Sequence, residues 1–397
     1  MLPLSFAEAR ALVLAAVARE RRLPDLELVE LAEADGRVLA ADVHADRDYP
    51  PFHRSMRDGF AVRAADVPAT LAVIGEVRAG EFFPGAVQPG QAVEIMTGAP
   101  LPEGADAVVM VEHVSVENGR VSVPDAAVPG QNVAPRAGDA ATGSTVLRRG
   151  QPINYPEVAV LATVGMSRVP VYRRPRVAML STGDEILELA ATPLPHQIRD
   201  SNSWSLACQV RRAGGEPIIL PMARDTVEGT IQRVDDGLRA DLLLISGGVS
   251  AGKYDLVEEA LATYGAEFYF DRVLIQPGQP LVFGRAQGTF FFGLPGNPVS
   301  TMVCFEIFAR AAVELLGGQE NPGLPLTEAV LTEAFHHRTG LTRFLPARLS
   351  RDGSEISKVR WSGSGDVMAL ARANAFLVAE ADKPDYAAGE RIRLLMR

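Results

Sequence analysis

The apolar positions of this chain change their period twice. Over residues 5–22 they recur with helical spacing, and Ser5 followed by Glu8 reads as a capping box at the start of that helix. A second helical period covers about 155–165. Between the two lie short apolar runs that predict strands: Ala72-Val73-Ile74, Ala92-Val93-Glu94-Ile95-Met96 and Ala107-Val108-Val109-Met110-Val111. Val114 and Val116 alternate toward Asn118-Gly119, and the alternation resumes at Val121 and Val123, which predicts a hairpin because both turn positions need φ > 0. We read residues 43–140 as a β-rich domain inserted into a helical linker domain made of residues 1–42 and 141–173.

From about residue 174 strands and helices alternate. Arg176–Leu180 is a strand running into Ser181-Thr182-Gly183, and a helix follows from about Asn202 to Arg212. After the strand Pro217–Leu220, a helix carries Val227, Ile231, Val234 and Leu238 as one stripe. The nearly all-apolar run Ala240–Ile245 suits a parallel strand buried on both faces. Thr289–Phe292 leads through Gly293-Leu294-Pro295-Gly296-Asn297-Pro298 into a long helix ending near Leu316. The fold class is therefore multidomain α/β, with a doubly wound domain over residues 174–317 and a C-terminal β domain over 318–397. In the latter, Asp352-Gly353 marks a turn and Ala375–Val378 a strand.

Composition narrows the function classes. The formal net charge is −10, which argues against broad nucleic-acid binding. Cys208 and Cys304 are far apart and belong to no CxxC pair, so structural zinc and a disulfide framework are not expected and a reducing cytoplasm is. No apolar run approaches the roughly 20 residues of a membrane helix. The first helix ends in Arg19-Glu20-Arg21-Arg22, which does not read as a signal peptide. Lysine occurs only at Lys253, Lys358 and Lys383, a bias toward arginine of the kind codon usage produces.

Ligands of open α/β sheets bind beyond the carboxyl ends of the strands. Three strand ends here carry suitable loops. Ser181-Thr182-Gly183-Asp184-Glu185 offers hydroxyls and acids. Ser246-Gly247-Gly248-Val249-Ser250-Ala251-Gly252 opens backbone N–H groups toward an anion. Gly293–Pro298 does the same, with Asn297 placed to cap and Pro298 at the first helical position. Gly247 to Lys253 nearly spells a P-loop, but Tyr254 stands where that motif needs Ser or Thr. Asp225 with Glu228, Asp255 with Glu258, and Asp200 before Ser201-Asn202 each fit a helix cap as well as a metal ligand. His336 and His337 are adjacent, point to opposite faces of a strand and read as surface residues. In the inserted domain, Asp58, the loop from Thr97 to Asp106, and Arg136–Asp139 place acids beside glycine turns. These residues point to an Mg2+-dependent oxyanion site on the α/β domain, completed by acids from elsewhere in the molecule.

The runs Asp58-Gly59-Phe60-Ala61-Val62, Met96–Pro100, Gly104–Val109, Ser181–Glu185, Asp200-Ser201-Asn202, Ser246–Ser250 and Gly293–Pro298 stand in order along the whole chain. In that order and spacing the sequence resembles the MoeA family of molybdopterin molybdenumtransferases, similar to the carboxy-terminal domain of gephyrin. The resemblance implies an elongated four-domain homodimer with a molybdopterin-binding, adenylyltransferase-like α/β domain and a β-barrel-like C-terminal domain. It implies a reaction of adenylylated molybdopterin with molybdate that releases AMP and uses Mg2+. Implied partners are a molybdopterin adenylyltransferase and apo-molybdoenzymes. By motif match Asp58, Thr97, Arg136 and Asp139 form the part of the site that faces a partner copy. Glu185, Asp200, Asp225 and Asp255 are the acids of the α/β part and the metal ligands. Asp58, Glu185, Asp225 and Asp255 are the catalytic set. Thr182, Ser201, Asn202, Gly247, Gly248, Ser250, Pro295, Gly296, Asn297 and Pro298 hold pterin and phosphate, and Ser364, in Ser362–Asp366, reaches molybdate. Four positions depart from the family pattern: Phe60 where tyrosine is common, Arg57 before the aspartate, and Gln276 and Gln279 in place of two lysines. Glutamine still donates hydrogen bonds to an oxyanion, without charge assistance. The competing readings are a pterin-binding carrier of the same fold without turnover and a P-loop-like nucleotidyl-transferring enzyme.

Overall fold

The computed structural model describes residues 2–183, 185–222, 226–247 and 256–396. Its α/β unit is built on a six-stranded sheet in the order Glu216–Ile219, Arg176–Ser181, Leu242–Ser246, Thr289–Leu294, Val282–Ala286, Glu267–Phe270. The first four strands are parallel; Val282–Ala286 runs antiparallel to both of its neighbours, Thr289–Leu294 and Glu267–Phe270. Side-chain alternation explains why the sheet is covered on both faces. Val177, Met179, Leu242, Leu244, Phe290 and Phe292 join one core, under the helices Asn202–Arg212 and Pro298–Cys304. Their neighbours Ala178, Leu180, Leu243, Ile245 and Phe291 join the other, under Val227–Leu238 and Leu256–Thr263. The antiparallel edge escapes sequence reading because its hairpin turns on Gln287-Gly288, both at positive φ (49° and 90°), and Gln-Gly is a weak turn signal.

The long helix expected to end near Leu316 does so, with one π-helical turn over Phe305–Ala309 inside it. Thr226 caps the helix Val227–Leu238 by accepting from the Gly229 N–H at 3.2 Å, so the cap expected of Asp225 falls one residue later.

The N-terminal helix spans Phe6–Glu20 and carries the expected capping box between Ser5 and Glu8. Its buried face, Ala9, Val13, Ala16 and Val17, packs in the α/β core rather than with the helix Tyr155–Thr163. The periodicity common to those two helices says that each has an apolar stripe, not which surface receives it. Near Tyr155–Thr163, Leu26–Glu30 pairs antiparallel with Arg168–Tyr172, and Val43–His44 with Thr145–Leu147. A further core of Ala34, Leu39, Val43, Leu147, Ile153 and Leu161 sits beneath them. The chain between contains a second six-stranded sheet in the order Ala107–Met110, Gly59–Val62, Gln91–Ile95, Ala69–Val77, Arg120–Val123, Ser115–Glu117. The last two strands are the expected hairpin, with Asn118 at φ 47° and Gly119 at φ 74°.

Thr342–Leu349, Glu355–Lys358, Leu326–Leu331, Arg391–Met396 and Ala375–Ala379 pair in a ring that closes on itself. Ile275–Gln276 adds to the ring outside Thr342–Leu349, joining the α/β unit to this barrel. No helix among the described residues is long and apolar enough to cross a membrane.

Candidate active site

At the carboxyl ends of the parallel strands the three predicted loops meet. The Thr182 N–H donates to the Ser246 carbonyl at 3.1 Å, and the Gly247 N–H to the Leu294 carbonyl at 3.2 Å. Gly247 must be glycine: its φ is +89° and a Cβ there would lie 2.6 Å from the Thr182 carbonyl oxygen. Asn202, at the start of its helix, is buried and joins all of this. Its Nδ2 donates to Ser246 Oγ and to the Gly296 carbonyl, both at 2.7 Å. Two oxygens at this edge, Asn202 Oδ1 and Thr182 Oγ1, are buried without a hydrogen-bond partner among the described residues. A buried polar group left unpaired is costly, so this edge is built to receive hydrogen bonds from something else.

Asp200 serves its helix, as the cap reading allows: Oδ1 accepts from the Ser203 N–H at 3.0 Å. Ser203 in turn shares a 2.8 Å hydroxyl contact with Ser181 at the first strand end. Glu185 is exposed, with its carboxylate lying over Gly183. The Glu185 carbonyl accepts from Ile198 at 2.8 Å, and the Asp200 N–H donates to Leu187 at 2.9 Å. The two acids thus flank opposite ends of a two-residue parallel ladder. Ser201 is exposed and its side chain makes no capping bond. Asp225, Gly248, Ser250, Asp255, Lys253 and Tyr254 lie outside the described residues.

Asn297 stands at the cap position but does not cap. Its amide turns away from the helix and donates to Ser364 Oγ at 2.9 Å, while the Val299 N–H donates to the Ser364 carbonyl at 3.0 Å. Thr301, one turn on, accepts the task of tying the loop by donating to the Asn297 carbonyl at 3.1 Å. The C-terminal segment is thereby seated on the third loop. The loop Gln276–Gln279 lies alongside the same helix, since a Cβ at Gly278 would be 2.3 Å from Cys304 Sγ and 3.8 Å from the Ser300 carbonyl. Gln276 itself is exposed and faces Arg343 in the strand register. Arg343 Nε is buried without a partner. Sequence reading missed this arginine because nothing local marks it; only the pairing of two distant strands brings a charge to the place where two lysines are missing.

The second group of predicted residues forms its own cluster. The segment His53–Asp58 runs between two loops: Ser55 N–H donates to Ala99 at 2.9 Å, and Met56 N–H to Asn132 at 2.8 Å. Asp58 Oδ1 accepts the Thr97 backbone N–H at 2.6 Å, and this bond and the Thr97 hydroxyl hold its carboxyl below the usual range. Arg136 Nε donates to Asp48 Oδ2 at 2.6 Å. Asp48 also accepts from the Thr142 N–H at 2.9 Å and its hydroxyl at 2.8 Å, and these bonds, then the arginine, lower its carboxyl to about 2. Asp139 lies 3.7 Å from Arg54. Asp48 is the residue sequence reading missed here, since it sits in a run with no motif. Among the described residues, this cluster shares no hydrogen bond or ion pair with the strand-end group. Phe60 is a core residue, packed with Val62, Leu71 and Val109, so the missing hydroxyl changes packing rather than a surface. His337, expected at the surface, is buried, with Nε2 2.8 Å from the Lys383 carbonyl; His336 is exposed beside Asp385.

Comparison with known proteins completes this picture. Family profiles described as "MoeA N-terminal region (domain I and II)", "Probable molybdopterin binding domain" and "MoeA C-terminal region (domain IV)" match residues 4–165, 178–315 and 328–396. The chain belongs to the MoeA family. A relative from Nostoc sp., named molybdopterin molybdenumtransferase, is 36% identical over 94% of this chain and 88% of its own. One of the same name from Bacillus subtilis is 34% identical over 94% and 90%. Among solved structures, the molybdopterin biosynthesis MoeA protein of Pyrococcus horikoshii superposes with a TM-score of 0.81 at 30% identity, covering 100% of both chains. The family membership accounts for the multidomain α/β architecture and the closed barrel. It also makes the strand-end edge, inside the matched molybdopterin-binding profile, the place to look for pterin chemistry.

Proposed function

We propose that this enzyme is a molybdopterin molybdenumtransferase, which joins molybdate to adenylylated molybdopterin and releases AMP. The observation that carries this reading is Asn202 holding two glycine loops together while its own Oδ1 and the neighbouring Thr182 Oγ1 stay unpaired. Such an edge suits a polar, multiply phosphorylated substrate: backbone N–H groups meet the phosphates, and fixed acceptors meet pterin N–H donors. Asn202, Thr182, Gly247 and the Pro295–Pro298 loop bind and orient, and the same role is assigned by motif to Ser201 and to Gly248 and Ser250, which lie outside the described residues. Molybdate, a dianion, is drawn to the side of the site where Gln276, Gln279 and Ser364 donate hydrogen bonds and Arg343 supplies charge. There the two dithiolene thiols replace one oxygen of molybdate, which leaves with their protons as water, and a second water splits the phosphate–phosphate link so that AMP leaves.

The acids at the site carry oxygen donors only, and an unpaired Thr182 hydroxyl adds another, a set that fits a hard divalent ion retaining much of its water. Glu185 and Asp200 would hold Mg2+ with Asp225 and Asp255, although no three His, Cys, Asp or Glu side chains cluster among the described residues. When bound, the ion neutralises charge on the bridging phosphates. In a homodimer, the cluster of Asp58, Thr97, Arg136 and Asp139 from one copy faces the strand ends of the other. Asp58, held ionised by Thr97, is then placed to accept a proton from attacking water. The expected setting is the cytoplasm, where an adenylyltransferase supplies the substrate and apo-molybdoenzymes receive the product.

The test is AMP release from adenylylated molybdopterin with Mg2+, with and without micromolar molybdate. Molybdate-dependent release is expected. Tight pterin binding without release, under molybdate and tungstate alike, overturns the transferase in favour of a carrier.

A further inference from the structure

At the opposite end of the α/β sheet from the active site, a cavity of about 240 Å³ opens where Gly36–Val38 and Pro152–Asn154 meet the start of the strand Arg176–Ser181. Five arginines line it, Arg37, Arg173, Arg174, Arg212 and Arg310, against one acid, Glu314. Three of the five are neutralised. Arg37 pairs with Glu27, Arg173 with Asp241 at 3.1 Å, and Arg310 with Glu306 at 3.0 Å and Glu314 at 2.8 Å. Arg174 and Arg212 have no ion pair within 4 Å and no side-chain hydrogen bond among the described residues. Two positive charges are therefore left over, facing one small space.

Helix ends do not account for them. The helices Asn202–Arg212 and Arg310–Leu316 both finish at this cavity, and helix C termini attract cations. Their last carbonyls are already occupied: Gln209 and Arg211 by the Ala213 and Gly214 N–H groups, Val313 by Gly317, and Leu315 by Gly318 and by Arg21. Nor is Arg174 at ease. Burial, and then the Arg37 guanidinium beside it, push its pKa down; Glu27 opposes this only in part and forms no ion pair with it.

We propose that this cavity is a binding site for a small oxyanion carrying two negative charges, held by Arg174 and Arg212 and separate from the catalytic edge. The size admits a phosphate, a diphosphate or a molybdate, and the forked guanidinium matches the oxygens of each. Because the cavity lies between Gly36–Val38 and Pro152–Asn154 of the linker and the α/β helix that ends at Arg212, an anion held there lies between the two parts of the chain.

Calorimetric titration of the full-length protein with inorganic phosphate, diphosphate and molybdate, against chloride at equal ionic strength, tests this. Saturable binding is expected, at least about tenfold weaker in R174Q and in R212Q, and unchanged in D58N. The tightest of the three anions identifies the source of the ligand. In chloride, R174Q should melt at or above the wild-type temperature, because it removes a part-buried cation that has no ion pair. Absence of saturable binding in the wild type, or wild-type affinity in both variants, overturns the proposal. So does an R174Q that is unstable without anion, which would make Arg174 a structural residue. R212Q, on the exposed rim, gives the independent reading.

Discussion

Asn297 gives its side-chain amide to Ser364 at 2.9 Å, across 67 residues of sequence and from one folded unit to another. A residue placed to cap a helix has been turned outward to hold the C-terminal barrel segment beside the pterin loop. N297A and S364A should therefore be non-additive. Their coupling in urea unfolding is expected at about 0.5–1 kcal/mol, and each should raise the molybdate concentration needed for AMP release. Strict additivity in both readouts would show that the contact does no joint work.

Asp58 supplies a charge whose geometry is fixed by the Thr97 N–H. D58N keeps an acceptor for that N–H, so the fold should persist while AMP release falls by roughly 10²-fold. Full release by a folded D58N would remove this residue from the chemistry.

Asp48 has a folded pKa of about 2, below its unfolded value near ~3.9, because the Thr142 N–H and hydroxyl, then Arg136, favour its ionised form. Its stabilising contribution is fully present above that unfolded value and is lost as pH falls through about 4 toward 2. The urea midpoints of D48N and wild type should differ at pH 7 and converge over that window. A constant gap would mean the aspartate acts through something other than its charge.

At Gly247 both φ and space forbid a side chain. G247A is expected to lose about 1–3 kcal/mol of stability and to bind pterin poorly, the second effect measured on protein shown by circular dichroism to be folded. Unimpaired binding would place the substrate elsewhere.

Thiol chemistry gives a direct check on packing. Cys208 is exposed, whereas Cys304 is fully buried and burial pushes its thiol up. A disulfide reagent should label Cys208 alone in native protein and reach Cys304 only on unfolding. Rapid labelling of both would contradict the close seat of Gly278 against Cys304.

The regular elements of this fold were legible: the apolar run of Leu242–Ser246, the Asn118-Gly119 hairpin and the stripe of Val227–Leu238 all carry local signals. The three glycine loops were legible too, because strand ends in an α/β sheet have few other uses. What sequence could not show was set by distance. The link from Asp48 to Arg136 spans 88 residues, and the facing of Gln276 and Arg343 depends on a sheet that closes around the barrel. Asn202 was identified as a substrate contact from its motif, but half of its amide proves to be a strut between loops. Asn297 misled for the opposite reason, since a good cap residue at a good cap position can be recruited by a neighbour that no local window contains.

The helix Phe6–Glu20 is synthesised well before the surface that receives it. Arg10 donates to the Ile307 carbonyl at 2.7 Å, 297 residues further along the chain. At a synthesis rate of about 5–20 residues per second, its apolar stripe is made roughly 15–60 s before the surface that covers it. Over that interval the face of Ala9, Val13, Ala16 and Val17 lacks the helix Arg310–Leu316 on which it packs, and stays open to non-native apolar contacts.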